Sequence, residues 1–111
     1  MPELDPEDEK IVVLARSTRA RVGAAEGAAV RDTDGRTYAA ASVALPSLSL
    51  TAVQAAVAAA VSSGAEGLEA AAVVTDEDIV HEASLLAVRD LASDAVILRA
   101  DASGTVRETI R

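Results

Sequence analysis

The sequence predicts a layered α/β domain, and three observations carry that expectation. Residues 50–64, LTAVQAAVAAAVSSG, place Leu50, Val53, Val57 and Val61 at three- and four-residue spacing, the period of one helix stripe. Two short unbroken apolar runs, Ala71-Ala72-Val73-Val74 and Val96-Ile97-Leu98, have the pattern of strands covered on both faces. Two alternating segments flank Asp34-Gly35, a pair that signals a hairpin turn. Helical and strand periods interleave along the chain, as a layered α/β fold requires.

Taken in order, the chain starts with an acidic lead-in at residues 1–6. Glu7, Asp8 and Glu9 suit the first turn of a helix, where negative charge meets the positive end of the dipole. Ile11, Leu14 and Ala15, with Val12 beside them, form its apolar stripe out to about Thr18. Arg16, Arg19 and Arg21 close it and read as dipole complement and solvated face rather than as an anion site. Ala24–Arg31 and Thr37–Leu45 follow as two strands, the second stopped by Pro46. Ser49 is placed to cap the helix of residues 50–64, and Gly64 to end it in a left-handed conformation. Alanines fill the flanks of that helix, so it is expected to be central and buried on more than one face.

Glu69–Thr75 is the next strand. Thr75 and Asp78 have capping-box spacing, and the helix expected over Glu82–Leu91 offers Leu85, Val88 and Ala92, or Leu86 and Ala87, for packing. Ala95–Arg99 and Thr105–Ile110, joined by a turn at residues 101–104, complete the order α-β-β-α-β-α-β-β, with the last strand at an edge.

A chain of 111 residues is expected to form one domain, spanning 1–111, with a single core. That core contains no Trp or Phe and at most one Tyr. Small side chains bury little area each, so stability is expected to lean on association. The formal net charge of −8 argues against nucleic acid, which needs clustered Lys and Arg, and against anionic membranes. With no cysteine, disulfides and thiolate metal sites are excluded. The acidic start is unlike a secretion signal and no apolar run reaches the roughly 18–20 residues of a membrane span, so a cytoplasmic protein is expected.

The run Thr51–Gly64 resembles the active-site helix of the short, homotetrameric cytidine deaminases, C-A-E-R-x-A-(apolar)-x-x-A-V-S-x-G. The likeness covers Ala52, Ala56, Val57, Ala60, Val61, Ser62 and Gly64. Gly27-Ala28-Ala29-Val30 with Asp34-Gly35-Arg36-Thr37-Tyr38 is similar to that family's V-G-A-A…D-G-x-x-Y hairpin, although Glu26 stands where an apolar residue is usual. The resemblance implies a three-layer α/β/α cytidine deaminase-like fold with a five-stranded mixed sheet. It also implies a homo-oligomer, a tetramer or dimer, in which the central helices of different subunits approach one another.

The positions that depart from the family are the chemical ones. The zinc-ligating cysteine of the helix falls on Thr51 and the catalytic glutamate on Val53. The second zinc motif, P-C-x-x-C, falls with its cysteines on His81 and Ser84. The Asn and Glu that hold the sugar fall on Ser42 and Ala44. Neutral hydroxyls bind zinc poorly and valine moves no proton, so no zinc, no other cofactor and no catalysis are expected. His81 reads as a helix-start or surface residue, since no second histidine or cysteine exists to complete a site. Asp76, Glu77, Asp78 and Glu82 read as a solvated acidic loop lacking a calcium-loop pattern. Two functions follow. The first is a catalytically inactive oligomeric binding or interaction module, with a possible unidentified protein partner. The alternative is a small-molecule, nucleoside-like binding protein or enzyme that uses a remodelled pocket at Ser42, Ala44, Thr51, Val53, His81 and Ser84; metal-dependent deamination ranks below both.

Overall fold

Residues 4–111 are described by a computed structural model; residues 1–3 of the acidic lead-in lie outside the described residues. The elements are α1 (Pro6–Val22), β1 (Gly27–Asp32), β2 (Thr37–Ala41), β3 (Val43–Leu45), β4 (Leu48–Leu50), α2 (Ala52–Ser62), β5 (Leu68–Val74), α3 (Glu82–Leu91), β6 (Val96–Ala100) and β7 (Val106–Ile110). Five strands form one sheet in the order β2-β1-β5-β6-β7. It is mixed: β5 runs antiparallel to β1 and parallel to β6, with α3 as the crossover. Strand β7 is an edge, as its alternation predicts, and β5 is buried on both faces along nearly its whole length.

The two faces of the sheet carry separate cores. Ile11, Val12 and Ala15 of α1 pack on Ala29, Ala70, Ala72, Val74, Leu98 and Ala100. On the other face, Val53, Ala56, Val57 and Ala60 of α2 and Val88 of α3 pack on Ala28, Val30, Ala71, Val73 and Ile97. Alternation along β1 explains the partition, since Ala28 and Val30 point to one face and Ala29 to the other. The result is the three-layer α/β/α arrangement with a five-stranded mixed sheet. Alanine on the strands lets α1 come very close: a Cβ at Gly27 would clash with the carbonyl oxygen of Ala15 and lie 2.7 Å from Arg19 Cβ.

Several expectations are corrected. The strand expected over Thr37–Leu45 breaks after Ala41, and residues 43–50 form a second, two-stranded hairpin, β3-β4, in which Pro46 stops β3 at Leu45, as expected, and opens the turn. Leu50 therefore belongs to β4, and the cap of α2 is Thr51, not Ser49. The Thr51 side chain accepts from the Gln54 N–H at 3.1 Å while Gln54 Oε1 accepts from the Thr51 N–H at 2.9 Å, a reciprocal capping box that outcompetes a single serine cap. Val61 is 51% exposed: one turn beyond Val57, the sheet no longer reaches the helix stripe, and Ala60 takes the inward place. Thr75 caps no helix; its Oγ1 accepts from Glu77 N–H at 3.1 Å in a tight turn, and α3 begins after His81. Of the two packing options on α3, Val88 with partly buried Leu85 faces the core and Leu86 is exposed. Helix α1 runs on to Val22, past Thr18, and Arg19 leaves the solvated face to pair with Asp76.

The β1-β2 turn is locked by Asp32. Its carboxylate accepts from the Tyr38 hydroxyl at 2.7 Å and from the N–H groups of Asp34 and Arg36, both at 2.9 Å. Burial raises its pKa, but these three donors together outweigh burial and hold it below the ordinary 3.8. A depressed carboxylate contributes stability that is complete above its unfolded pKa and is lost as pH falls through the lower, folded value. Asp32→Asn is therefore expected to remove part of the acid sensitivity of unfolding below about pH 4, read from melting temperatures between pH 2 and 7. An unchanged acid limb in the variant would refute the assignment.

Candidate functional site

The N-terminal ends of α2 and α3 meet at one rim of the sheet, beside the start of β1. Thr51 closes the first turn of α2 and Ser84 lies in the first turn of α3, where it is buried. Ser84 Oγ donates to Thr51 Oγ1 at 2.8 Å, joining the two helices across residues that are distant in sequence. Val53, two residues into α2, is fully buried in the core.

Beside this junction opens a cavity of about 450 Å³, within the size range of small-molecule sites. Four of the six expected positions line it: Ser42, Ala44, Thr51 and His81. Val53 and Ser84 do not; they lie beneath it in the packed interior. Ser42 continues the β1-β2 ladder, its N–H donating to the Glu26 carbonyl at 3.0 Å and its Oγ accepting from the Glu26 N–H at 3.2 Å. Ala44 is exposed on β3. His81 is the exposed residue preceding α3, where its backbone carbonyl accepts from the Ser84 and Leu85 N–H groups and its side chain forms no capping bond.

Other lining residues were not read as site residues from the sequence. Glu26 is 8% exposed, and it stands in phase with Ala28 and Val30, so its side chain faces the α2 side of the sheet. That phase was the available signal: a glutamate at an alternating position that is otherwise apolar. Arg19, Thr75, Asp76 and Glu77 also line the cavity, and Arg19 Nη2 meets Asp76 Oδ2 at 2.9 Å. Asp76, Glu77 and Asp78 are exposed, as a solvated loop would be.

Zinc is held in proteins by thiolate, imidazole or carboxylate. The Thr51 and Ser84 hydroxyls are engaged with each other and with the cap of α2, and His81 alone among the aligned positions is of a zinc-binding type. Among the described residues no three His, Cys, Asp or Glu side chains come together closely enough to hold a metal ion. This donor set does not fit zinc. Among the described residues no helix is long and apolar enough to cross a membrane.

The fold is that of solved cytidine deaminases. The cytidine deaminase from Burkholderia pseudomallei superposes with a TM-score of 0.79 at 20% identity, covering 91% of this chain and 89% of that one. The cytidine deaminase from Mycobacterium leprae does so with a TM-score of 0.73 at 19% identity, covering 93% of each chain. No curated protein sequence matches the chain. Residues 4–104 match the family described as Cytidine deaminase-like. That match spans nearly the whole chain, so the chain belongs to the cytidine deaminase-like family.

Proposed function

We propose that this chain is a non-catalytic member of its family, acting as a homo-oligomeric binding or protein-interaction module. The observation that carries the reading is the Ser84–Thr51 hydroxyl contact at 2.8 Å above a fully buried Val53. A zinc-dependent deaminase needs a metal to activate water and a carboxylate to shuttle protons. Here two neutral hydroxyls hold one another, and an apolar side chain occupies the position that the sequence resemblance gives to the carboxylate. An uncompensated carboxylate at that depth would be costly without a metal, so valine favours a stable metal-free core.

Incubation of the purified protein with cytidine or deoxycytidine in the presence of zinc is expected to release no ammonia above a protein-free control. Ammonia release, or near-stoichiometric zinc in protein purified without added metal, would overturn the reading.

Association is supported by the apolar surface left outside the fold. Leu45 and Leu48 of the β3-β4 hairpin are 58% and 49% exposed, and Val61 of α2 is also open. Ala58 is exposed and Ala55 and Ala59 are half-buried, so the side of α2 away from the sheet is small and smooth. Such a face allows helix axes to approach to about 8 Å, and closed symmetry is the usual way a self-complementary face is satisfied. Light scattering is expected to give a dimer or tetramer, and Ala59→Arg to shift it towards the monomer. A wild-type protein that stays at 11.3 kDa at micromolar concentration would rule the assembly out.

A further inference from the structure

We propose that the cavity beside the starts of α2 and α3 binds a small organic cation carrying N–H donors, an ammonium or amidinium group, on the carboxylate of Glu26. The inference rests on reading the chain as a binding protein but not on its assembly.

Glu26 is more than nine-tenths buried, yet its carboxylate forms no hydrogen bond or ion pair with any described residue. Neither oxygen is fully sealed from solvent, and the side chain lines the cavity. Buried carboxylates are almost always paired, because desolvating the charge is costly unless a donor replaces the water.

The neighbouring groups do not supply that donor. Arg19, the cationic side chain on the cavity wall, directs Nη2 to Asp76 at 2.9 Å and Nε to the Ala24 carbonyl at 3.4 Å. At the first turn of α2 the Thr51–Gln54 box takes up the Thr51 and Gln54 N–H groups, no N–H of that turn is bonded to Glu26, and the first turn of α3 carries Glu82. The Ser42 hydroxyl accepts from the Glu26 backbone N–H. What remains is one free carboxylate in a cavity of about 450 Å³.

The chemistry of the walls selects the class of ligand. With Glu26, Asp76 and Glu77 set against Arg19, anions are repelled, and the chain's net charge of −8 draws cations towards the cavity. A bare divalent metal is not matched, since three acidic or imidazole ligands do not gather among the described residues. A single carboxylate does suit two parallel N–H donors, the geometry of an amidinium. Val43 and Leu50 offer apolar contact for a short uncharged tail.

The test is a titration of the full chain with butyramidinium and, separately, with butyramide, its neutral near-isostere, followed by backbone amide chemical shifts. Saturable shifts at Glu26, Ser42 and Thr51 are expected with the cation, and butyramide is expected to bind at least about tenfold more weakly. Glu26→Gln keeps the shape, removes the charge, and is expected to weaken the cation by about tenfold or more while remaining folded. Glu66→Gln, an exposed residue beyond the opposite end of α2, makes the same net-charge change and is expected to leave affinity within about twofold. Equal binding of cation and amide, unchanged affinity in Glu26→Gln, or no saturation with butyramidinium up to about 0.1 M would overturn the proposal. Ammonia release from cytidine would instead refute the non-catalytic reading, so the two failures are distinct.

Discussion

Gly27→Ala is expected to destabilise the protein by about 3 kcal/mol or more, the upper end of the range for overpacked interiors. The added methyl would meet the Ala15 carbonyl oxygen and lie 2.8 Å from the Arg19 backbone nitrogen, so the colliding atoms include main chain of α1 and not only flexible side chain. Relief requires moving α1 bodily off the sheet, and with it the contacts of Ile11, Val12 and Ala15 on Ala29, Ala70 and Leu98. Against a total stability of about 5–15 kcal/mol that is a large fraction. Urea denaturation should show a lowered midpoint at nearly unchanged slope. A loss under about 1 kcal/mol would mean that the helix and strand are not in backbone contact.

Val53→Glu is expected to be comparably severe at neutral pH, about 3 kcal/mol or more, because it buries an unpaired charge in the core. A carboxyl there has its folded pKa raised above the unfolded value of about 4.3, so its penalty is absent at low pH and grows as pH rises through and above that value. The deficit at pH 7 should therefore shrink at pH 5. Adding Thr51→Cys and Ser84→Cys supplies two thiols where the hydroxyls now stand 2.8 Å apart, with His81 one helical turn before Ser84. In that triple variant zinc is expected to restore stability, measured as a rise in melting temperature that a chelator reverses. Zinc that raises the melting temperature of the unmodified chain by the same amount would contradict the assignment of the lost donors.

The strongest sequence signals concern burial. The run Ala71–Val74 identified a doubly covered strand because β5 is sandwiched between α1 and the α2-α3 layer, and the helix over Glu82–Leu91 was legible to the residue. The β3-β4 hairpin was not legible, since Leu45 and Leu48 are exposed and give no inward period, while Pro46 reads as a terminator. The displaced cap is a competition between two good candidates; Ser49 offers one bond, whereas Thr51 with Gln54 offers two. Four lining residues of the cavity followed from the alignment of motifs. Glu26 and Arg19 needed the fold, because one reads as a polar departure inside the first strand and the other as part of a basic helix end until β1 and α1 are packed together.

Strand β1 lies between β2, which follows it through a short turn, and β5, which arrives only after the second hairpin and all of α2 have been made. Gly27 must find Val74, and Arg31 must find Ala70, across that whole intervening segment. Closing so long a loop is an entropic cost met before the pairing returns any stability. On the ribosome, at about 5–20 residues per second, the α1-β1-β2 unit therefore waits seconds with one edge of β1 unpaired. The alanines along that edge make it a weak template for pairing with another nascent chain, compared with the β-branched and aromatic residues that favour strands. A core built from alanine thus trades packing energy in the finished protein for a quieter interval during its synthesis.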